Sequence, residues 1–153
     1  MLPVRRILAP IDFSPYSAAS LAFAARLAHQ CSAELHVLHV QPALLDAVAQ
    51  SQHLDLDGET RGAMTAFMKD ARPPSGVVPI HHLAAGSAAD TICATASTCH
   101  ADLVVIGPRG RSALAATLLG STTRGVLSHS PCPVVVVPGT WAVAEGDQVA
   151  DAG

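Results

Sequence analysis

Residues 102–125 read DLVVIGPRGRSALAATLLGSTTRG, and the fold turns on them. The apolar run 103–106 is short, aliphatic and bounded by glycine, as a strand buried on both faces should be. Gly107 and Gly110 follow it at once, and Gly120-Ser121 closes a G-x-x-G-x9-G-S pattern just where a helix should begin. Glycines let a backbone approach an anion closely, and the free N–H groups of a helix N-terminus attract one. The segment therefore predicts strand, phosphate-sized loop, helix.

Working outward, the same alternation repeats. Residues 4–10 (VRRILAP), 34–40 (ELHVLHV), 77–83 and 133–138 (PVVVVP) read as further strands, with 102–106 as the fourth of five. Between them, helical spacing brings Leu21, Ala24, Ala25 and Ala28 onto one face behind Ser14 as cap. It does the same for Met64, Phe67, Met68 and Ala71, and for Ala89, Ile92, Cys93 and Ala96 behind Ser87. Pro73-Pro74 ends the second helix, and Ser121 opens the last, which runs to about residue 129. Residues 41–58 lack a clear period and read as a loop. Residues 139–153 are polar and aperiodic and read as a disordered tail behind a single domain of residues 1–138. Strand–helix alternation with aliphatic strands predicts an α/β domain, its parallel sheet covered on both faces by right-handed crossovers. Ligands of such sheets bind beyond the carboxyl ends of the strands. That places Asp12, Val40 and the glycine loop at one cleft.

Composition narrows the function classes. Of 153 residues, 50% are hydrophobic and only 14% charged, with net charge −3 and no Lys/Arg block, which argues against a duplex nucleic-acid binder. No stretch is long enough to span a bilayer and no signal-peptide core follows the first residues, so a soluble cytoplasmic protein is expected. The single lysine, Lys69, falls in the second helix, and no G-x-x-x-x-G-K-[S/T] loop exists, which excludes a P-loop NTPase. Cys93 and Cys99 would share a helix but lie roughly 9 Å apart along its axis and about 120° apart around it, too far to bridge. Cys31, Cys93, Cys99 and Cys132 are therefore read as buried, reduced packing residues. His36 and His39 face opposite sides of one strand, as do His81 and His82, so no zinc set is expected.

The stretches 5–28 (RRILAPIDFSPYSAASLAFAARLA), 34–40 and 102–137 (DLVVIGPRGRSALAATLLGSTTRGVLSHSPCPVVVV) resemble the universal stress protein family, over residues 3–138. The resemblance implies a Rossmann-like domain with a five-stranded, mainly parallel sheet of order 3-2-1-4-5. It implies binding of ATP, or of ADP or AMP, with Mg²⁺. By position, Pro10, Asp12 and Val40 would hold the adenosine end. Gly107, Arg109, Gly110, Arg111 and Ser112, with Gly120, Ser121, Thr122 and Thr123, would wrap the phosphates. Pro108 departs from the pattern by removing one backbone donor, and Ala115 and Ala116 stand where many relatives carry basic residues. The resemblance also implies a homodimer through strand 133–138, an otherwise exposed edge. No base is evident to orient water, so the reading is a nucleotide-responsive regulatory protein with at most slow ATP hydrolysis aided by Asp12 and a divalent ion. The alternative is a nucleotide-independent dimeric interaction module on the same fold.

Overall fold

The computed structural model describes residues 2–110 and 118–142. Along them run β1 (Arg6–Ile11), α1 (Pro15–Cys31), β2 (Glu34–Gln41), α2 (Ala43–Ser51) and α3 (Leu56–Asp70). There follow β3 (Ile80–Ala85), α4 (Ala88–Thr98), β4 (Leu103–Ile106), α5 (Ser121–His129) and β5 (Val134–Val136). The strands form one parallel sheet in the order β3-β2-β1-β4-β5. This is the order that the family resemblance implied.

The two-residue period of the strands divides the apolar side chains between two cores. Ile7, Ala9 and Ile11 of β1, with Leu35 and Val37 of β2, pack against Leu21, Ala24, Ala25 and Ala28 of α1 and Met64 and Met68 of α3. Leu8, Leu38, Val104 and Ile106 face the other way, onto Ile92 and Ala96 of α4 and Val126 of α5. Alanines on the buried face of α1 let that helix lie close to the sheet in a chain with few aromatics. Ser14 caps α1 by accepting the N–H of Ser17 (3.2 Å), and Pro15 sits in the first turn, where no N–H is needed. At the far end of the sheet the Asp102 carboxylate accepts the N–H groups of Arg5 (2.8 Å) and Arg6 (2.9 Å). Those two bonds hold its pKa below the usual carboxylate range. Among the described residues no helix is long and apolar enough to cross a membrane.

Several sequence expectations need correction. Residues 41–58 are not a loop: they contain α2 and the start of α3, which Asp55 caps by accepting the N–H of Gly58 (2.9 Å). Only Ala49 of α2 is buried, while Leu44, Leu45 and Val48 stay exposed, so the helix has no buried stripe for a periodicity reading to find. The third strand is Ile80–Ala85 rather than 77–83, because Pro79 can donate no ladder bond and pairing starts at Ile80↔His36. Likewise the first strand is Arg6–Ile11 rather than 4–10. The prolines of 133–138 trim the last strand to Val134–Val136. The cysteines are free, but they are not all buried: Cys31, in the last turn of α1, is exposed, and the other three are half-buried. Desolvation raises the thiol pKa of Cys93, Cys99 and Cys132, which disfavours their thiolate forms. Of the expected tail, residues 139–142 are described, and Trp141 sets its ring edge-on against Phe23 at 5.3 Å. Residues 143–153 lie outside the described residues.

Two helical glycines predict opposite outcomes for one substitution. Gly62 in α3 has nothing within 4 Å of where a Cβ would stand, so Gly62→Ala should stabilise by about 0.5–1 kcal/mol through helix propensity. Gly125 in α5 would set its Cβ 2.7 Å from the Cβ of Ala89 on α4, a contact with no flexible atom to yield. There the strain of about 1–3 kcal/mol outweighs the propensity gain, and Gly125→Ala should destabilise. Urea denaturation of the two variants checks both signs.

Candidate functional site

β1 and β4 are neighbours whose chains leave their carboxyl ends in different directions, α1 onto one face of the sheet and the route to α5 onto the other. The gap between them is a small cleft of about 100 Å³. Its inner wall is apolar, from Leu38, Val40, Ile92 and Ile106, and its rim is polar.

The rim is built by local strain and packing. After β1 the chain turns through Phe13, which holds φ = 62°, a conformation costly for a non-glycine residue. Its ring is held against His39 (centroids 4.7 Å) and edge-on to Phe67 (5.4 Å). His39 Nδ1–H in turn donates to the Ile11 carbonyl (2.9 Å), so the end of β1 is pinned from β2. The turn aims the Asp12 side chain into the cleft. Asp12 Oδ1 accepts the N–H of Ser14 (3.0 Å), and the Asp12 N–H donates to Ser17 Oγ (3.3 Å). Asp12 is thus part of the turn, as well as the only acidic residue lining the cleft among the described residues. Its Oδ2 lies against Gly110, where any Cβ would collide with it.

Gly107 is equally constrained: a Cβ there would stand 3.1 Å from the Tyr16 carbonyl oxygen and 3.1 Å from the Tyr16 Cβ. The loop continues through Arg109, whose guanidinium carbon lies 5.2 Å from the centre of the Tyr16 ring. Thr123, only 2% exposed, donates its hydroxyl hydrogen to the Gly107 carbonyl (2.8 Å) and bolts α5 to the loop. Gly120 N–H donates to Pro108 O (2.8 Å), and the missing side chain of Gly120 leaves room for the Arg109 Cα at 3.1 Å. Gly120, rather than Ser121, is the cap of α5, because the chain turns into the helix at its extended backbone, and no side chain caps the first turn. The N-terminus of a helix is left with its dipole directed at the loop.

Of the residues singled out in the sequence, Pro10, Asp12, Val40, Gly107, Arg109, Gly110, Thr122 and Thr123 line this one cleft. Gly120 supports it from behind. Ser121 is exposed on the first turn of α5 and is not part of the lining. Arg111 and Ser112, with Ala115 and Ala116, lie outside the described residues. The sequence reading missed Ser17, Ala88 and Ile92 in the lining and Tyr16 beneath the loop. Ser17 had a signal, since Ser14-x-x-Ser17 is a capping pattern; Tyr16 and Ala88 had none.

Comparison with known proteins places this geometry. Residues 3–138 match the model of the universal stress protein family. A universal stress protein of Synechocystis sp. is 32% identical over 122 residues, covering 74% of this chain and 78% of the relative. One from Bacillus subtilis is 31% identical over 144 residues, covering 86% and 97%. Among solved structures, the universal stress protein UspA of Lactobacillus plantarum superposes with a TM-score of 0.76 at 28% identity, covering 90% of this chain and 99% of its own. Two structures that share the fold at lower identity contain nucleotides. One is a universal stress protein in complex with cAMP (TM-score 0.63, 23% identity, coverage 91% and 100%). The other is an Archaeoglobus fulgidus universal stress protein in complex with dAMP (0.62, 21%, 89% and 99%).

The Thr123 bond makes a prediction independent of any ligand. Thr123→Val should cost about 1–3 kcal/mol, because the Gly107 carbonyl loses a buried donor. Thr123→Ser should recover most of it. Chemical denaturation of the two variants separates hydroxyl from methyl.

Proposed function

This chain belongs to the universal stress protein family, and on that footing we propose that it binds an adenine nucleotide, ATP with Mg²⁺ in first place, as a regulatory signal. The observation that carries the reading is the convergence of Gly107, Gly110 and the uncapped N-terminus of α5 on a cleft whose other wall is apolar. A flat base suits the Val40, Leu38 and Ile92 wall. Phosphates suit a glycine loop with helix N–H groups and Arg109 at hand. β2 runs past its last partner in β1, Ile11↔His39, which brings Val40 to the rim where backbone groups can meet a base edge. The cAMP and dAMP held by proteins of the same fold support an adenine ligand.

Asp12 suits ribose hydroxyls or water on a phosphate-bound Mg²⁺. No described cluster of three His, Cys, Asp or Glu side chains could hold a metal by itself, so the ion would arrive with the nucleotide. The lining described supplies neither a lysine nor a second carboxylate or histidine to activate water, so hydrolysis would be slow at most and the bound nucleotide would act by favouring one conformation over another.

A homodimer joined through β5 belongs to the same proposal. Val134, Val135 and Val136 are half-buried on the outermost strand, and a partner strand would complete that edge. Light scattering on a sizing column should give twice the chain mass, and a monodisperse monomer at micromolar concentration would remove the dimer from the proposal.

Calorimetric titration of nucleotide-stripped protein with ATP and Mg²⁺ tests the main claim. Binding should be about micromolar or tighter. Gly110→Val should abolish it while the thermal midpoint stays within a few degrees of the parent, since the added methyls displace Asp12 Oδ2 at the rim and do not reach either core. A folded parent that evolves no heat with any adenine nucleotide would overturn this reading in favour of the nucleotide-independent interaction module.

A further inference from the structure

On the face of the sheet turned to α4, a line of polar groups crosses the strands β1, β2 and β3. Arg6 Nε–H donates to Glu34 Oε2 (3.1 Å), and the same oxygen lies 3.2 Å from His36 Nε2. His36 Nδ1 lies 2.8 Å from His82 Nε2, and the two rings stack with centroids 5.1 Å apart and 22° between planes. His36 is only 6% exposed, whereas His82 is half-buried on the outermost strand β3. We propose that His36 and His82 act as a proton-counting latch, which holds β3 to β2 with no or one added proton and releases it on the second.

Donor–acceptor chemistry limits the states. With both rings neutral, His82 Nε2–H donates to His36 Nδ1, and His36 Nε2–H donates to Glu34. One added proton enters at His82 Nδ1 while the shared hydrogen passes from His82 Nε2 to His36 Nδ1, so that His36 becomes a double donor, to Glu34 and to His82 Nε2. Both states preserve every bond in the line. A second proton puts an N–H on each of the two facing nitrogens, so the bond is lost and two cations meet in its place. His36 is held in place, bonded to Glu34 and nearly buried. His82 reaches water by moving outward with its edge strand.

The surroundings set the pH window. Burial first, then the charge on His36 and that of Arg61 on α3 and of His81, hold His82 below the usual imidazole range. Burial, followed by Arg61, holds His81 low in the same way on its own side of β3. Asp90 and Cys99 of α4 line the groove beside His82. A histidine depressed in the folded state binds fewer protons than in the unfolded chain. Its contribution to stability is therefore complete above its ordinary value of 6.5 and declines as pH falls through the lowered one. Glu34 is lowered by its bonds to His36 and Arg6, and its contribution disappears only further down, below its ordinary 4.5.

The test is a titration of ¹⁵N-labelled protein from about pH 8 to about pH 4.5, following imidazole nitrogens and amide exchange together. The His36 and His82 signals should move jointly in a first step with the protection factors of β3 unchanged. In a second step, the protection factors of β3 amides, taken against the intrinsic rate at each pH, should fall about tenfold or more while β1 and β4 keep theirs. His82→Gln retains a donor to His36 Nδ1 but takes up no proton, so its β3 should remain closed through the second step. Independent titration of the two rings, or opening of β3 in His82→Gln at the parent's pH, overturns the proposal. Should His82→Gln not fold, the parent's titration decides by itself.

Discussion

β1 is buried on both faces and paired on both sides, and everything else in the molecule is arranged around that. Ile7, Ala9 and Ile11 need cover on one face and Leu8 on the other. A right-handed crossover can supply only one face per direction of travel across the sheet. The chain therefore winds from β1 to β2 and β3 with α1 and α3 on one face, then returns to β4 and β5 with α4 and α5 on the other. At the carboxyl ends of β1 and β4 the two windings part. No element can fill that gap, because both connections leave it. The cleft is a consequence of covering β1 twice.

What lines the cleft is held by contacts that lie outside it. Phe13 in the left-handed region costs about 1–2 kcal/mol. Packing its partly buried ring against His39 and Phe67 offsets part of that. The strain is what directs Asp12 across the gap toward Gly110. On the opposite rim, Gly107 can lie against the Tyr16 backbone only without a side chain, and Thr123 ties its carbonyl to α5.

The fold was legible because its two-sided burial leaves a direct trace: strands such as 103–106 have no polar residue to hide, and Leu21, Ala24, Ala25 and Ala28 repeat at the helical period. Where burial is one-sided or absent, the trace fades. The helix α2 exposes Leu44, Leu45 and Val48, so its apolar residues formed no stripe against anything. Val77 and Val78 looked like strand, yet Pro79 postpones pairing to Ile80. The glycine loop was legible from spacing, since each glycine answers a specific close approach. Tyr16 and Ala88 were not, because nothing local marks a residue as the neighbour of a loop far along the chain. The histidines show the limit best. Alternation separates His36 from His39 and His81 from His82 within each strand. That His36 meets His82, 46 residues on, depends on the register Leu38↔His82, which no single strand contains.

That register also joins the two halves of the functional reading. His36, Leu38 and Val40 stand on one face of β2: the first is bonded to His82, and the other two line the cleft. β3 leads directly into α4, which brings Ala88 and Ile92 to the same cleft. Whatever loosens β3 from β2 therefore disturbs the wall on which a base would lie. Whatever fills the cleft holds β3 and α4 in place. Linkage makes these one effect: a ligand that requires the closed wall must lower the affinity of the histidine pair for its second proton by the factor that the proton lowers the affinity for the ligand. On the proposed readings acid and nucleotide act in opposition on one edge of the sheet, acid by releasing β3 and nucleotide by holding it.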